Sequence, residues 1–277
     1  MAGVTAKRRL VHIQDGVQEV RFDNVVAEEP LEIRVDGSAL AVTMRTPGND
    51  FELAAGFLVT EGVVDRADQI RTLRYCVGDD EVQEFNVLNA DLSADATGRS
   101  AGGERSFMTT SSCGLCGKTS IDTLRARSAF DLRGDTVSVA PSVLASLPGT
   151  LRSAQRVFDR TGGLHAAGLF TADGELVCLR EDVGRHNAFD KVIGWAALEG
   201  RLPLRRHVIL ASGRASFELT QKALMAGIPV LASVSAPSSL AVQLAEESGM
   251  TLLGFLRGPA MNVYAGEQRV STSNDGA

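Results

Sequence analysis

The chain has 277 residues, of which 44% are hydrophobic and 22% charged, the usage of an ordinary globular protein with a sizeable core. Its formal net charge of −6 argues against non-specific nucleic-acid binding, which needs a basic surface. The beginning of the chain lacks the apolar core of a signal peptide and no apolar run reaches about 18 residues, so the sequence predicts a cytosolic protein with no membrane partner and with reduced cysteines.

The first hundred residues are predicted to be rich in β-strands. Residues Leu31–Met44 carry Asp36-Gly37 between two alternating runs, which predicts a β-hairpin. A helix with one apolar face begins near Phe51, and a second strand pair is predicted from Ile70 to Leu88. The stretch Asp91–Ser106 is small, polar and glycine-rich, which is typical of a linker or mobile loop. We therefore expect a smaller β-rich domain at residues 1–105 and a second domain at residues 106–277.

The second half alternates between strands and helices. Two strands are predicted within His165–Arg180, around a turn at Asp173-Gly174. The elements that follow are helix Asn187–Gly200 with Asn187 as its N-cap, strand His207–Ala211, helix Ser216–Ala226, strand Ile228–Val234, helix Ser238–Ser248 and strand Met250–Phe255. Such alternation with short connections predicts a largely parallel sheet covered by helices, so the fold class is α/β (α+β overall).

Three loops at the ends of predicted strands could bind an anion. They read SGRAS, SVSAPSS and GFLRGPAMN, and they contain Ser212, Gly213 and Arg214, then Ser235, then Arg257. Ligands of open α/β sheets bind beyond the carboxyl ends of the strands, and helix N-termini attract phosphate. The alternative for each loop is a serine-capped helix or a solvated turn, and both readings stay open.

Two histidines are candidates for a role in chemistry. His186 lies in REDVGRHNAFDK, where seven ionisable side chains accumulate, and a histidine can transfer protons near neutral pH. The alternative for this segment is a capped helix with surface ion pairs. His165 follows two glycines at the start of a strand, and its alternative is a satisfied core histidine.

The segment SSCGLCGKTS places Cys113 and Cys116 two residues apart. A structural zinc site needs four ligands, and neither Cys76 nor Cys178 belongs to a second such pair, so no structural metal is predicted. A thioredoxin-like pair needs a rigid helix N-terminus, whereas each of these thiols is followed by glycine. The polar surroundings also disfavour a buried pair.

An exposed, mobile thiol pair remains. Lys118 and a helix predicted to begin near Thr119 would both favour the thiolate, which is the nucleophilic form of cysteine. A thiol on a mobile loop suits a group that is loaded at one place and unloaded at another. The segment is therefore interpreted as a carrier.

Seven segments in this order resemble the formate dehydrogenase accessory sulfurtransferase family (FdhD/NarQ). They are EEPLEI, MRTPGNDFELAAGFLVTEG, SSCGLCGK, TGGLHAAG, REDVGRHNAFDKVIG, SGRASFELTQKA and SAPSSLAVQLAEESGMTLLGFLRG. They extend from about Glu28 to Tyr264. The cysteine motif alone would be a weak signal, but the ordered set is specific.

The resemblance implies a cytoplasmic homodimeric sulfurtransferase. Such a protein takes persulfide sulfur from a cysteine desulfurase and passes it to the Mo-bis(molybdopterin guanine dinucleotide) cofactor, or its tungsten counterpart, for formate dehydrogenase. Cys113 would bear the persulfide and Cys116 would assist as relay or resolving thiol. The larger domain would be similar to cytidine deaminase.

The resemblance also implies a guanine-nucleotide site, for which GDP is the expected analogue. The segment associated with that binding consists of Phe255, Leu256, Arg257, Gly258, Pro259 and Ala260. With the loop residues Ser212, Gly213, Arg214 and Ser235, and with His186, these are the predicted cofactor-binding residues.

Two other functions compete with that of a sulfurtransferase. A zinc deaminase needs His-x-Glu and Pro-Cys-x-x-Cys, and this chain has neither, because Ser112 precedes Cys113 and Ala166-Ala167 follow His165. The alternative from another class is a non-catalytic chaperone that holds the cofactor for formate dehydrogenase.

Overall fold

The computed structural model describes residues 3–76, 85–96 and 130–271. Cys113, Cys116 and the helix predicted to begin near Thr119 lie outside the described residues. The boundary predicted between residues 105 and 106 also lies outside them, and it stays a prediction.

The described residues of the N-terminal part form two small sheets and one α-helix. Its elements are β1 Thr5–Gln14, β2 Val17–Val26, β3 Glu29–Val35, β4 Ser38–Arg45, α1 Asp50–Thr60, β5 Ile70–Tyr75 and β6 Val87–Leu92. Among the described strands, β1 and β2 pair only with each other, and the other four form a sheet in the order β4-β3-β6-β5. The predicted hairpin is confirmed, with Asp36 and Gly37 at φ angles of 48° and 84° that fit a tight hairpin turn.

The second strand pair is also confirmed, but it extends further than predicted. Strand β6 continues to Leu92, so Asp91 and Leu92 belong to a sheet and not to a linker. The reason is burial, because Ala90 and Leu92 pack into the core although the sequence around them looks like a loop.

The C-terminal part is built around a six-stranded sheet. Its elements are α2 Pro141–Ala154, α3 Phe158–Thr161, β7 His165–Thr171, β8 Leu176–Asp182, α4 Arg185–Leu198, β9 His207–Ala211, α5 Phe217–Met225, β10 Val230–Ser233, α6 Ser239–Ser248, β11 Thr251–Arg257 and β12 Ala260–Ala265. The strand order is β12-β11-β10-β9-β7-β8. The predicted alternation of strands and helices is confirmed from β9 to β11, and with it the α/β class.

The expectation of a largely parallel sheet is wrong. Strand β10 runs parallel to β9 and to β11, while the pairs β7-β8, β7-β9 and β11-β12 are antiparallel. Tight turns at Gly174 and Gly258 join two of these pairs as hairpins, and a hairpin is antiparallel by geometry. The parallel strands therefore occupy only the centre of the sheet.

Helices α1 and α4 cross with their backbones in contact. A Cβ atom at position 56 would lie 1.8 Å from the carbonyl oxygen of Asp190, and one at position 194 would lie 1.7 Å from that of Glu52. Glycine is therefore required at both positions. This crossing joins the N-terminal part to the C-terminal part through a shared core, in which Leu58, Phe189 and Ile193 are fully or almost fully buried.

The start of α4 differs from the prediction. Gly184 is the N-cap, and Asn187 lies inside the helix. The side-chain amide of Asn187 donates instead to the carbonyl of Met44 (2.8 Å) and to Asp182 Oδ1 (3.0 Å). Asn187 thus links α4 to β4 and β8 instead of capping the helix.

Among the described residues, no helix combines the length and apolar character needed to cross a membrane.

Candidate functional site

A cleft of about 710 Å³ opens at one edge of the six-stranded sheet. The edge is formed by the carboxyl ends of β9, β10 and β11 together with the start of β7, which runs antiparallel to β9. Ser212, Val234 and Arg257 line the cleft from the strand ends, and Arg152 and Gln155 line it from the region of α2. This is where an α/β sheet is expected to bind a ligand.

The cleft brings together three of the predicted binding residues, namely Ser212, Leu256 and Arg257. Ser212 is held by two hydrogen bonds to β7, since its Oγ accepts from the Ala166 amide (2.8 Å) and its own amide donates to the Ala166 carbonyl (3.0 Å). The Nε atom of Arg257 donates to the carbonyl of Val234 (3.3 Å). The loop after β9 and the end of β11 therefore contribute side chains to one cavity.

The other predicted residues of these loops lie beside the cleft and do not line it. The carbonyl of Ser235 accepts from the Phe255 amide (3.1 Å) and from Ser233 Oγ (2.6 Å), which joins the loop after β10 to β11. Gly213 is adjacent to the imidazole of His165, because a Cβ at position 213 would lie 3.5 Å from its Nδ1. The exposed residues are Arg214, Phe255, Gly258, Pro259 and Ala260, and their role in binding stays a prediction.

An irregularity in β11 shapes this edge. Phe255 has a φ angle of 53°, which is rare for a bulky residue, and the pairing with β12 shifts between Gly254 and Arg257. Such a bulge changes the direction in which successive side chains point. As a result Phe255 is exposed, while Leu256 is buried in the wall of the cleft.

His165 lies in the cleft wall and is half-buried. Burial lowers its pKa, the positive charge of Arg185 lowers it further, and Asp182 acts in the opposite direction. The imidazole is therefore neutral at pH 7, so one ring nitrogen can accept a hydrogen bond from a ligand. The glycine pair at 162–163 before His165 also lines the cleft, as the sequence signal TGGLH indicated.

Sequence reasoning missed the wall formed by α2 and α3. Arg152 pairs with Asp159 and lies with its guanidinium carbon 4.8 Å from the centre of the Phe158 ring. Arg152 and Arg257 thus give the cleft two guanidinium groups, which suit phosphate. The signal for α2 was the spacing of Leu144, Leu147 and Leu151, all of which are buried.

The charged segment before and within α4 is not a solvated surface, so the alternative of surface ion pairs is wrong. Lys191 Nζ lies 2.7 Å from Asp182 Oδ2, and both side chains are buried. Asp182 also accepts from the Thr46 amide (3.1 Å), and Lys191 donates to the Thr46 carbonyl (2.9 Å). These bonds fix the segment preceding α1 against the start of α4.

A second buried cluster lies around Lys222 of α5. Its Nζ is 2.9 Å from Asp190 Oδ1 and 3.1 Å from Glu61 Oε1, and it donates to Thr60 Oγ1 (2.9 Å). The hydroxyl of Thr60 in turn donates to Asp190 (2.8 Å). Burial alone would lower the pKa of Lys222, but the carboxylates of Asp190 and Glu61 raise it, so the lysine is charged.

His186 borders this second cluster and does not line the cleft. Its Nε2 is buried, has no hydrogen-bond partner among the described residues, and lies 4.0 Å from Glu218 Oε2. Burial first, and then the charges of Lys222 and Arg185, lower its pKa to about 4. This value does not favour proton transfer near neutral pH, and a role for His186 in cofactor binding stays a prediction.

Two cysteines lie within the described residues, and both are free thiols. Cys178 is buried, and burial raises its pKa to about 11. A thiol with this pKa is almost entirely protonated at pH 7 and is a poor nucleophile. In the same part of the chain, no group of three or more His, Cys, Asp or Glu side chains is arranged to hold a metal ion.

Over most of its length, the sequence is similar to a known protein family. The model of the FdhD/NarQ family matches residues 26–271. The sulfur carrier protein FdhD of Streptomyces avermitilis is 59% identical over 275 residues, covering 98% of this chain and 97% of the relative. The protein of the same name from Mycolicibacterium paratuberculosis is 56% identical and covers 96% and 99%.

The fold is similar to that of a solved structure. A crystal structure described as a formate dehydrogenase accessory protein from Desulfotalea psychrophila superposes with a TM-score of 0.76 and covers 97% of this chain and 100% of its own. Its sequence identity is 24%, so this comparison supports the architecture alone.

Proposed function

The chain belongs to the FdhD/NarQ family, and from this membership we propose that it carries sulfur for the maturation of formate dehydrogenase. Two features of the chain support the proposal. The sequence contains the thiol pair Cys113 and Cys116, and the sheet edge holds a cleft to which Leu256 and Arg257 of the predicted nucleotide segment contribute. That cleft is the observation on which the proposal depends most.

The proposed chemistry begins with the thiolate of Cys113. It attacks the outer sulfur of a persulfide on a cysteine desulfurase, so a new sulfur–sulfur bond forms while that of the donor breaks. The thiolate of the desulfurase leaves with the electron pair, and Cys113 keeps the persulfide. Cys116 acts as relay or resolving thiol. Cys178 takes no part, because burial keeps it protonated.

The acceptor is the Mo-bis(molybdopterin guanine dinucleotide) cofactor, bound as a substrate through its nucleotide end. The cleft volume falls in the range of about 300–1,000 Å³ that is usual for small-molecule sites. Arg152 and Arg257 would form charge-assisted hydrogen bonds to phosphate, and the glycines at 162–163 would allow close approach. The neutral imidazole of His165 would accept a hydrogen bond from the base or ribose.

The cytoplasmic location and the homodimeric state expected for the family belong to the same proposal. Sedimentation equilibrium of the purified chain tests the dimer, since a monomeric mass at micromolar concentration would contradict it.

Sulfur loading is the first test. After incubation with a cysteine desulfurase and cysteine, mass spectrometry of peptides should find one extra sulfur atom on Cys113. The Cys76→Ala variant, which removes a thiol outside the motif, should load normally, whereas Cys113→Ala should not load at that site. Absence of the persulfide, together with full activation of formate dehydrogenase by Cys113→Ala, would refute the assignment.

A variant with both Cys113→Ala and Cys116→Ala separates a carrier from a chaperone. A carrier loses the ability to activate formate dehydrogenase while its affinity for GDP is unchanged. A chaperone that only holds the cofactor keeps both properties.

The cleft is tested by calorimetric titration with GDP. The change Arg257→Ala should weaken binding by about 1–3 kcal/mol, because a charge-assisted hydrogen bond is lost. The matched control is Arg205→Ala, since Arg205 is an exposed arginine just before β9, at the strand end opposite Ser212. Equal affinities of all three proteins would remove Arg257 from the site.

A further inference from the structure

We propose that one face of the β1–β2 hairpin is a docking surface for a partner protein whose own surface is apolar and acidic. The docking face consists of the side chains that alternate onto one side of the two strands. They are Lys7, Arg9, Val11 and Ile13 of β1 and Gln18, Val20, Phe22 and Asn24 of β2.

The docking face is apolar and open to solvent. Phe22 is 64% exposed and Ile13 62%, and Val11 and Val20, which pair with each other across the strands, are both more than half exposed. The hairpin pairs with no other described strand, and each of the eight residues of the docking face is exposed. A two-stranded sheet is at best marginally stable alone, and a contiguous exposed apolar patch marks an interaction site.

The charges of the hairpin are divided between its two faces. Lys7 and Arg9 lie on the docking face, and the strand register places no carboxylate there. Glu19 and Asp23 lie on the opposite face, where Glu19 pairs with Arg21 at 2.6 Å. A surface that complements the docking face therefore combines apolar side chains with carboxylates.

This division of charge also distinguishes between occupants. A second copy of the chain that presented the same face would bring cations and no carboxylate to the contact. A different protein with an acidic surface satisfies both the cations and the apolar side chains. The docking face thus fits a heterologous partner better than a copy of itself.

The docking face leads to the cleft. Val26 pairs with Thr5 and so lies on the same side of the hairpin, at its base. A Cβ atom at position 163 would be 3.3 Å from Cγ1 of Val26, and Gly163 lines the cleft. A protein bound to the docking face would therefore lie next to the wall of the cavity. The inference rests on the proposed function in one respect, the choice of formate dehydrogenase and cysteine desulfurase as probes.

The test measures binding of the full-length chain to purified formate dehydrogenase and to purified cysteine desulfurase of the same organism by biolayer interferometry. Two docking-face variants, Val20→Glu and Lys7→Glu/Arg9→Glu, should weaken binding to one of the two proteins by about tenfold or more, as expected for loss of an interface anchor. The matched controls on the opposite face, Val17→Glu and Arg8→Glu/Arg21→Glu, should bind like the unchanged chain.

Two outcomes would overturn the inference. One is unchanged affinity of both docking-face variants for both probes. The other is a change in oligomeric state caused by the docking-face variants while probe binding is unchanged, which would assign the face to a second copy. Because the charge variant keeps every apolar side chain of the hairpin, its weaker binding cannot be ascribed to unfolding if its melting temperature is that of the control.

Sulfur loading and GDP binding are measured on the same preparations. If Cys113 fails to load while the docking-face variants still lose affinity, the sulfur-carrier proposal fails and the docking inference stands. If Cys113 loads normally and no docking-face variant loses affinity, the docking inference fails and the sulfur-carrier proposal stands.

Discussion

Replacing Gly194 by alanine should force the crossing helices α1 and α4 apart and destabilise the fold. A Cβ at this position would lie 1.7 Å from the carbonyl oxygen of Glu52 and 2.6 Å from the Gly56 amide nitrogen. Real Cβ atoms come no closer than about 3.0 Å to such neighbours, so one contact must lengthen by about 1.3 Å (3.0 − 1.7). Since both atoms belong to helix backbones, α1 and α4 must separate as whole elements.

The free-energy cost of this separation can be estimated from the core packing and the hydrogen bonds of the two helices. Inserting a methyl group into a packed core typically costs about 1–3 kcal/mol. Here the movement also strains the hydrogen bonds that Arg180 donates to Glu52 (2.5 and 2.7 Å) and the one that Thr60 donates to Asp190 (2.8 Å). We expect a loss of about 3–5 kcal/mol in the free energy of unfolding, and a melting temperature lower by about 6–20 °C.

Urea titration and scanning calorimetry measure both quantities. The matched control is Gly149→Ala, because Gly149 also lies in a helix but a Cβ there meets no atom within 4 Å. Alanine should stabilise that helix by up to about 1 kcal/mol. If Gly194→Ala were as stable as the unchanged chain while the control behaved as expected, the two helices could not be in backbone contact.

Three further outcomes are expected. The pKa of His186 is about 4 in the folded chain and about 6.5 in the unfolded chain, so the unfolded state binds the proton first as the pH falls. Between pH 6.5 and pH 4 the free energy of unfolding should therefore decrease by on the order of 3 kcal/mol. The change His186→Gln should remove that part of the loss in urea titrations, and an unchanged pH slope would contradict this. Cys178 should resist iodoacetamide at pH 8 in the folded chain, because burial raises its pKa to about 11, and it should react once the chain is unfolded in urea. Equal modification in both states would show that the thiol is accessible in the folded chain. Lys222→Met should lower the free energy of unfolding by about 3–5 kcal/mol, because it leaves Asp190 buried without its cation, and adding Asp190→Asn should restore part of that stability. If Lys222→Met were as stable as the unchanged chain, the pair could not be buried.

The sequence alone predicts the helices and strands from β9 to β11 correctly, because strong local signals agree with the tertiary packing in that region. Short apolar runs form the buried strands, and serines precede the helices. Ser216 Oγ accepts from the Leu219 amide and Ser238 Oγ from the Ala241 amide, as helix N-caps do. Here local preference and tertiary structure favour the same result.

The elements that were missed have signals that oppose one another. Helix α2 contains Pro148 and Gly149, which read as a break, yet its leucines pack into the core and hold it together. In the β1–β2 hairpin the alternation of apolar residues is interrupted by lysine and arginine, because the hairpin has no buried face. The sequence alone does not show which of two opposing signals prevails.

Only part of the candidate site was predicted, because only some of its residues lie next to elements with clear sequence signals. Ser212, Leu256 and Arg257 follow strands of the recognisable α/β pattern, so the position of the loops could be inferred. Arg152 and Gln155 could not, since their helix was not predicted. The burial of Asp182 and Lys191 was likewise not predictable, because their partner Thr46 lies more than 130 residues earlier in the chain.

The crossing of α1 and α4 has a consequence for synthesis on the ribosome. Helix α1 ends at Thr60, and the helix that covers it begins at Arg185, so translation at about 5–20 residues per second takes about 6–25 s to supply the cover. During that interval the nascent chain exposes the apolar surface of Leu58 and Val59, which in the folded chain pack in the core shared with α4. Slower growth at low temperature, or co-expression of a chaperone that binds this stretch, should therefore raise the yield of native chain.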